Sequence, residues 1–312
     1  MLLPVVAGVD CSAESLAAAV GVPPTPFGQW GRAAREAVRR DRPLRLIHAW
    51  PWHPRQEGGH PATAAQRHLA RRALREAEER IIRSTPGVRL DDEQVEGPAT
   101  AALLAAADRA DVLVLGSRGL SGFTGFLVGS VALGVVARAT RPVVLVRAGE
   151  EAADEHLPAP DGSASVRTGY RDVVLGIDLG APCDDVIAFA FEAARLRGAR
   201  LKVVHAWQPP SPLGGLGPGE IGLADGPRQA EEWLSFMTAV LQVWRDKYPD
   251  VEVVETVTAG RALSVLVRAT SGASLLVVGR RATERPTGQR TGPVTHAAIH
   301  HVGCPVAVVP HE

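Results

Sequence analysis

The chain repeats itself. Gly97 and Gly260, Gly116 and Gly279, and Pro142 and Pro305 are each 163 residues apart. Gly8-Val-Asp10 recurs as Gly176-Ile-Asp178, 168 residues on, and His48-Ala-Trp50 as His205-Ala-Trp207, 157 residues on. Landmarks in one order at slightly different spacings indicate a duplicated unit of roughly 145 residues whose loops differ in length. The 312 residues fit two such units, since a domain takes about 100–200 residues. The expected domains are 1–148 and 171–312. Residues 149–170 between them are acidic at first (Glu150, Glu151, Asp154, Glu155), then rich in Pro, Gly and Ser, and read as a solvated tether.

Each half alternates strand and helix. Strands are expected near 5–9, 44–50, 94–96, 112–115 and 143–146, then near 172–177, 201–207, 252–257, 275–278 and 306–309. Helices are expected near 31–40, 62–84, 100–109 and 130–139, with a long amphipathic one at 228–247. The strands are continuous Val/Leu/Ile runs, the pattern of strands covered on both faces, so the fold class is α/β. Each half is expected to be a doubly wound, Rossmann-like parallel sheet of five strands in the order 3-2-1-4-5, with helices on both faces. Pro142 and Pro305 stand at the start of each last strand, where a missing N–H costs least. The Pro/Gly-rich stretches 22–28 and 209–219 read as insertions.

In such a sheet ligands bind beyond the strand ends, where the strand order reverses. Strands one and four flank that crevice. The first ends in Gly8-Val-Asp10 and the fourth in Gly116-Ser-Arg-Gly119, followed nine residues later by Gly129-Ser130 at a helix start. Glycines admit an anion close to the backbone, and a helix start offers free N–H groups and a favourable dipole. Asp10 suits an adenine amino group, a ribose hydroxyl or a metal-bound water, or else simply caps the next helix.

Other classes find little support. Lys+Arg 34 balance Asp+Glu 34, so the excess positive charge of a nucleic-acid or anionic-membrane binder is missing. No apolar run nears the roughly 20 residues of a membrane span, and the start carries no basic leader. Three scattered cysteines (Cys11, Cys183, Cys304) form no disulfide framework and fit a reducing cytoplasm. The glycine loop lacks the Gly-Lys-Ser/Thr of a P-loop, and strand one lacks the dinucleotide fingerprint. Only Arg118 is at hand as a phosphate clamp, so fast phosphoryl transfer is not expected. His296 and His300 with Cys304 set no third metal ligand and read as ordinary side chains. Cys11 reads as structural. Trp50, Trp52 and Trp207 suit either a base stack or a core edge.

Gly116-x2-Gly119-x9-Gly129-Ser130, with Gly8-Val-Asp10 before it and Arg141-Pro-Val-Val after it, resembles the universal stress protein family, in two tandem copies over nearly the whole chain. The resemblance implies an ATP-binding stress-response regulator, with Mg²⁺ as a companion ion and slow or no hydrolysis. It places Val9, Asp10 and Ala49 on the adenine and ribose side, with Ser12 a weaker candidate. Gly116, Gly119, Gly129, Ser130 and Val131 would hold ribose and phosphates. Cys11 departs from the glycine usual after the strand-one Asp. The second copy keeps Ile177, Asp178, Ala206, Gly279 and Gly292 but has Ala282 for a glycine and Pro293 for the serine. A methyl group at 282 hinders close approach, and Pro293 removes a hydroxyl and an N–H. The second site is therefore expected to be weakened, with Arg280, Arg281, Arg285 and Arg290 free either to meet phosphates or to remain solvated. The family's dimers imply that the halves pack along their last strands as an internal pseudo-dimer, with a further homodimer left open. The alternatives are a weak ATP hydrolase or nucleotidyl-transfer enzyme on the same fold, and a nucleotide-free interaction scaffold. No catalytic residue is assigned.

Overall fold

A computed structural model describes residues 2–9, 27–50, 61–117, 128–147, 149–208, 226–282 and 291–312. The first half runs β1 (Val5–Val9), α1 (Phe27–Arg39), β2 (Leu44–Trp50), α2 (Pro61–Ser84), β3 (Leu90–Glu96), α3 (Ala99–Ala107), β4 (Val112–Ser117), α4 (Ser130–Val136) and β5 (Val143–Arg147). The second runs β6 (Val173–Gly176), α5 (Asp184–Arg197), β7 (Leu201–Trp207), α6 (Gly226–Lys247), β8 (Val253–Ala259), α7 (Ala262–Ala269), β9 (Leu275–Arg281), α8 (Pro293–His301) and β10 (Val306–His311). A short 3₁₀ turn, Ala152–Glu155, lies between them.

The strands form one sheet in the order β3-β2-β1-β4-β5-β10-β9-β6-β7-β8. Each half thus has the expected order 3-2-1-4-5. All pairings within a half are parallel. The halves meet through β5 and β10, which run antiparallel with Val306 opposite Leu145 and Val308 opposite Val143. Alternate residues of each strand feed two cores. Val5, Ala7, Val114 and Val146 face one side, with Leu175 and Val277 of the second half beside them. Val6, Leu113, Leu145, Val174, Leu276 and Val308 face the other. Burial on both faces is why these strands read as unbroken apolar runs. The outermost strands differ. β3 (Leu-Asp-Asp-Glu-Gln-Val-Glu) alternates and is largely exposed, as an edge protected by charge should be. Its acidic first half is why the sequence pattern places its start four residues late.

The antiparallel seam relates the halves by an approximate two-fold axis through the sheet. It sets α1 and α5 on one face, side by side: the Arg40 guanidinium lies 5.2 Å from the Phe189 ring centre. Between the two helices and the chain after β5 sits a buried ion network. Glu36 pairs with Arg197 at 2.6 Å and Arg39 at 3.1 Å. Glu155 pairs with Arg35 at 2.5 Å and Arg39 at 2.6 Å. Arg32, 1% exposed, bonds Glu150 at 2.8 Å and reaches the Ser274 carbonyl at 3.2 Å.

The solvated-tether expectation is therefore corrected. Glu150 and Glu155 are buried, because three arginines of α1 at positions 32, 35 and 39 share one helix face and meet them. The same stretch is tied back by a bridge between His156 and Tyr170, whose rings lie 4.1 Å apart.

Burial alone would raise the Glu155 carboxyl, but Arg32, Arg35, Arg39 and Arg197 bring it down to about 2. Glu150, which shares Arg32 with Glu155, is pushed upward by burial. Glu155 therefore contributes stability above its unfolded value of 4.5 and loses that contribution as the pH falls through about 2. At neutral pH Glu155→Gln should cost about 3 kcal/mol, the scale of a broken buried pair, and more than Glu150→Gln. Thermal unfolding of wild type and E155Q should converge as the pH is lowered from about 5 towards 2. A gap that stays constant over that range would contradict this assignment.

Candidate functional site

The His-Ala-Trp repeats have a structural job that the sequence does not disclose. His48 Nδ1 lies 3.2 Å from the Val9 carbonyl, and His205 Nδ1 lies 3.1 Å from the Ile177 carbonyl. A carbonyl only accepts, so each Nδ1 carries the proton and donates. Each histidine thus pins the end of its half's first strand to the second. Both are buried. Ala49 and Ala206, next in sequence, are half-buried and point to the opposite face. Trp207 is buried beside the start of α6, a core-edge position.

In the first half β1 and β4 are parallel neighbours, with Val5 opposite Val112 and Ala7 opposite Val114. This brings Val9, buried, and Gly116 to the same edge of the sheet. α4 begins there as well. Gly129 precedes it in an extended conformation (φ −61°, ψ 150°), no side chain caps the helix, and Ser130 and Val131 are exposed. Asp10, Ser12 and Gly119 lie outside the described residues, as do Cys11 and Arg118. One residue enters unannounced. Gln29 Nε2 donates to the Gly8 carbonyl at 3.1 Å, and a Cβ at Gly116 would sit 1.7 Å from Gln29 Oε1. Gly116 is thus required for the approach of an α1 side chain on one face of the sheet.

The second half keeps the spacing, and Gly279, like Gly116, lies under a side chain. A Cβ at Gly279 would meet His311 Nε2 at 2.8 Å and Val186 at 3.2 Å. Thr295 Oγ1 donates to the Gly279 carbonyl at 2.8 Å, and the equivalent first-half residue, 163 positions earlier, is Ala132. Gly292 takes a left-handed φ of 71° with Pro293 opening α8. Asp178 is exposed, and its Oδ1 already accepts the Gly180 N–H at 2.9 Å. A cavity of about 860 Å³ opens nearby at the seam, lined by Arg138, Cys183, Asp184, Arg281 and His311 among others. Ile177, Asp178 and Ala206 do not line it, so it is displaced from the expected base position.

Arg280 is corrected outright. It is buried, and its guanidinium donates to the Ala137 carbonyl at 3.2 Å and to the Ala139 carbonyl of the first half. It is therefore neither solvated nor aimed at a phosphate. Arg281 is exposed, and Arg285 and Arg290 lie outside the described residues.

The His296 and His300 rings lie 4.8 Å apart on α8. Among the described residues no group of three or more potential metal ligands occurs. Burial pushes the Cys304 thiol up to about 12, which removes it as a thiolate at neutral pH. Among the described residues, no helix is long and apolar enough to cross a membrane.

The Gly116–Gln29 contact gives a double-mutant test. Gly116→Ala should displace the Gln29 amide from Gly8 and cost about 1 kcal/mol, the net worth of a hydrogen bond. Gln29→Ala removes the same bond. Denaturant unfolding should therefore show the double variant costing little more than either single one, and simple addition would contradict the contact.

The universal stress protein family model matches residues 1–147 and again 169–310. A universal stress protein of Mycolicibacterium smegmatis is 30% identical, the match covering 98% of this chain and 96% of that protein. One from Mycobacterium tuberculosis is 31% identical over 97% of this chain and 96% of its own. The crystal structure of a universal stress protein from Archaeoglobus fulgidus superposes with a TM-score of 0.67 at 16% identity, over 99% of this chain and 98% of that one, which shows a shared fold. With a doubled family match, full-length relatives and the duplicated sheet described above, the chain belongs to the universal stress protein family, in its tandem two-domain form.

Proposed function

We propose that the chain is an ATP-binding regulatory protein of the stress-response type, with one working nucleotide site in its first half. The domains are taken as 1–148 and 171–312, with 149–170 as the connecting segment. Adenine and ribose would lie by Val9, Asp10 and Ala49. The phosphates would lie along the loop from Gly116 through Gly119 to Gly129, Ser130 and Val131.

The observation that carries this reading is the contrast between the two halves. At α4 the helix start is uncapped and exposed, with Ala132 in its first turn. α8 starts equally uncapped, with Pro293 and Val294 exposed, but Pro293 brings neither a hydroxyl nor an N–H to it, and Thr295 Oγ1 is spent on the Gly279 carbonyl. An exposed helix start with a hydroxyl and a full set of free N–H groups suits a polyphosphate better than one opened by proline. Mg²⁺ would travel with the phosphates, and the chain's own residues would orient the nucleotide rather than cleave it. No lysine reaches the loop in sequence, which favours slow or no hydrolysis. The β5–β10 seam acts in this reading as an internal pseudo-dimer contact, and the free thiols Cys183 and Cys304 suit a cytoplasmic setting.

Calorimetric titration of ATP into wild type and Ser130→Pro tests the site. Proline is tolerated at the first position of a helix, so the fold should survive, while one hydroxyl and one N–H are lost from the cradle. The variant should bind ATP at least about tenfold more weakly, or ~1.4 kcal/mol. Equal affinities would contradict the cradle. No binding by wild type would leave an interaction scaffold instead.

A further inference from the structure

The second half reaches α4, the helix that follows the proposed nucleotide loop, through the buried side chain of Arg280. α4 has seven residues, so its position depends on what holds its two ends. Its start carries Ser130 and Val131. Its far end points into the second half, because the antiparallel β5–β10 seam places the end of β9 beneath it. There the Arg280 guanidinium bridges the carbonyls of Ala137, which ends the helix, and Ala139, which begins the turn towards β5. Arg280 is 6% exposed. Among the described residues no carboxylate lies within ion-pair distance of it, and burial holds its pKa below the usual guanidinium value. A cation buried without an acid partner is costly to keep. It is retained where it closes two orphan carbonyls at the negative end of a helix dipole. The contact is also one-sided. The first-half residue 163 positions earlier is Ser117, which carries no guanidinium.

We propose that Arg280 is a positioning residue for the helix start of the first-half site: by clamping the end of α4 it fixes where Ser130 and Val131 stand. The second half then serves as a brace for the first site. This rests on the reading that the first half binds ATP. It gives a use to Arg280 of the motif position Gly279-Arg280-Arg281, whose side chain is turned into the seam.

The test has two arms, each on the full chain with Arg280→Met and the milder Arg280→Lys. The first is amide hydrogen exchange without nucleotide. Loss of the clamp should speed exchange in α4 about tenfold, leave α8 unchanged, and do so less in R280K. Unchanged α4 exchange overturns the clamp. The second arm measures affinities for ATP and for adenosine. A brace on the phosphate end should reduce the preference for ATP over adenosine about tenfold in R280M, with adenosine binding unaltered. A merely structural loss would weaken both ligands alike, and that result overturns the proposal. If R280M does not fold, R280K carries both readouts in the same direction. Wild type that binds neither ligand would refute the ATP reading. The coupling would fall with it, while the exchange arm would still report whether the clamp exists.

Discussion

The antiparallel pairing of β5 with β10 is the constraint on which the rest depends. Both strands are almost wholly apolar and buried. Left unpaired, each would be an exposed hydrophobic edge with open N–H and C=O groups, the kind of surface that aggregates. Joined, they make ten strands into one sheet. The antiparallel sense matters as much as the pairing. It points the ligand edges of the two halves in opposite directions. It also sets α1 against α5 on one face and brings the end of α4 beside the end of β9 on the other.

Each of those contacts is then filled with charge. On one face Arg32, Arg35 and Arg39 draw the acidic chain after β5 into the seam, and Glu36 receives Arg197 from the other half. Replacing such a network by apolar residues need not destabilise a protein, but breaking one member leaves an unpaired buried charge. Any other docking of the halves would leave Glu36 or Arg197 without this partner. On the other face Arg280 links β9 to α4. Duplication supplied two equal units, and these contacts have made them unequal. One helix start offers Ser130 with its hydroxyl and N–H, and the other begins at Pro293.

Much of this was legible in the sequence, for physical reasons. Strands buried on both faces must be continuous apolar runs, so their number could be read, and the long amphipathic helix α6 showed its own periodicity. The family motif Gly116-x2-Gly119-x9-Gly129-Ser130 marked the loop. What could not be read depends on which distant segments meet. Gln29 over Gly116, Thr295 on the Gly279 carbonyl and His311 beside it are contacts across helix and strand, with no local pattern. The acidic run 150–155 looks solvated until its partners are known. A signal was there: arginines at 32, 35 and 39 fall on one face of an otherwise core-facing helix, which calls for buried acids elsewhere. Arg280 was misread because a guanidinium beside a glycine motif suggests phosphate, whereas the seam turns it towards a helix end in the other half.

The central claim is one working nucleotide site, in the first half, with the second half as its support. It is tested most directly by purifying the protein without added nucleotide, denaturing it by heat, and chromatographing what is released against the protein concentration. The account predicts ATP at about one per chain at most, since α8 begins at Pro293, without the hydroxyl and N–H that Ser130 offers. Two per chain would contradict the asymmetry. ADP in place of ATP would point to hydrolysis during isolation and favour the enzyme reading. No nucleotide, with no thermal shift on adding millimolar ATP and Mg²⁺, would contradict the nucleotide reading itself.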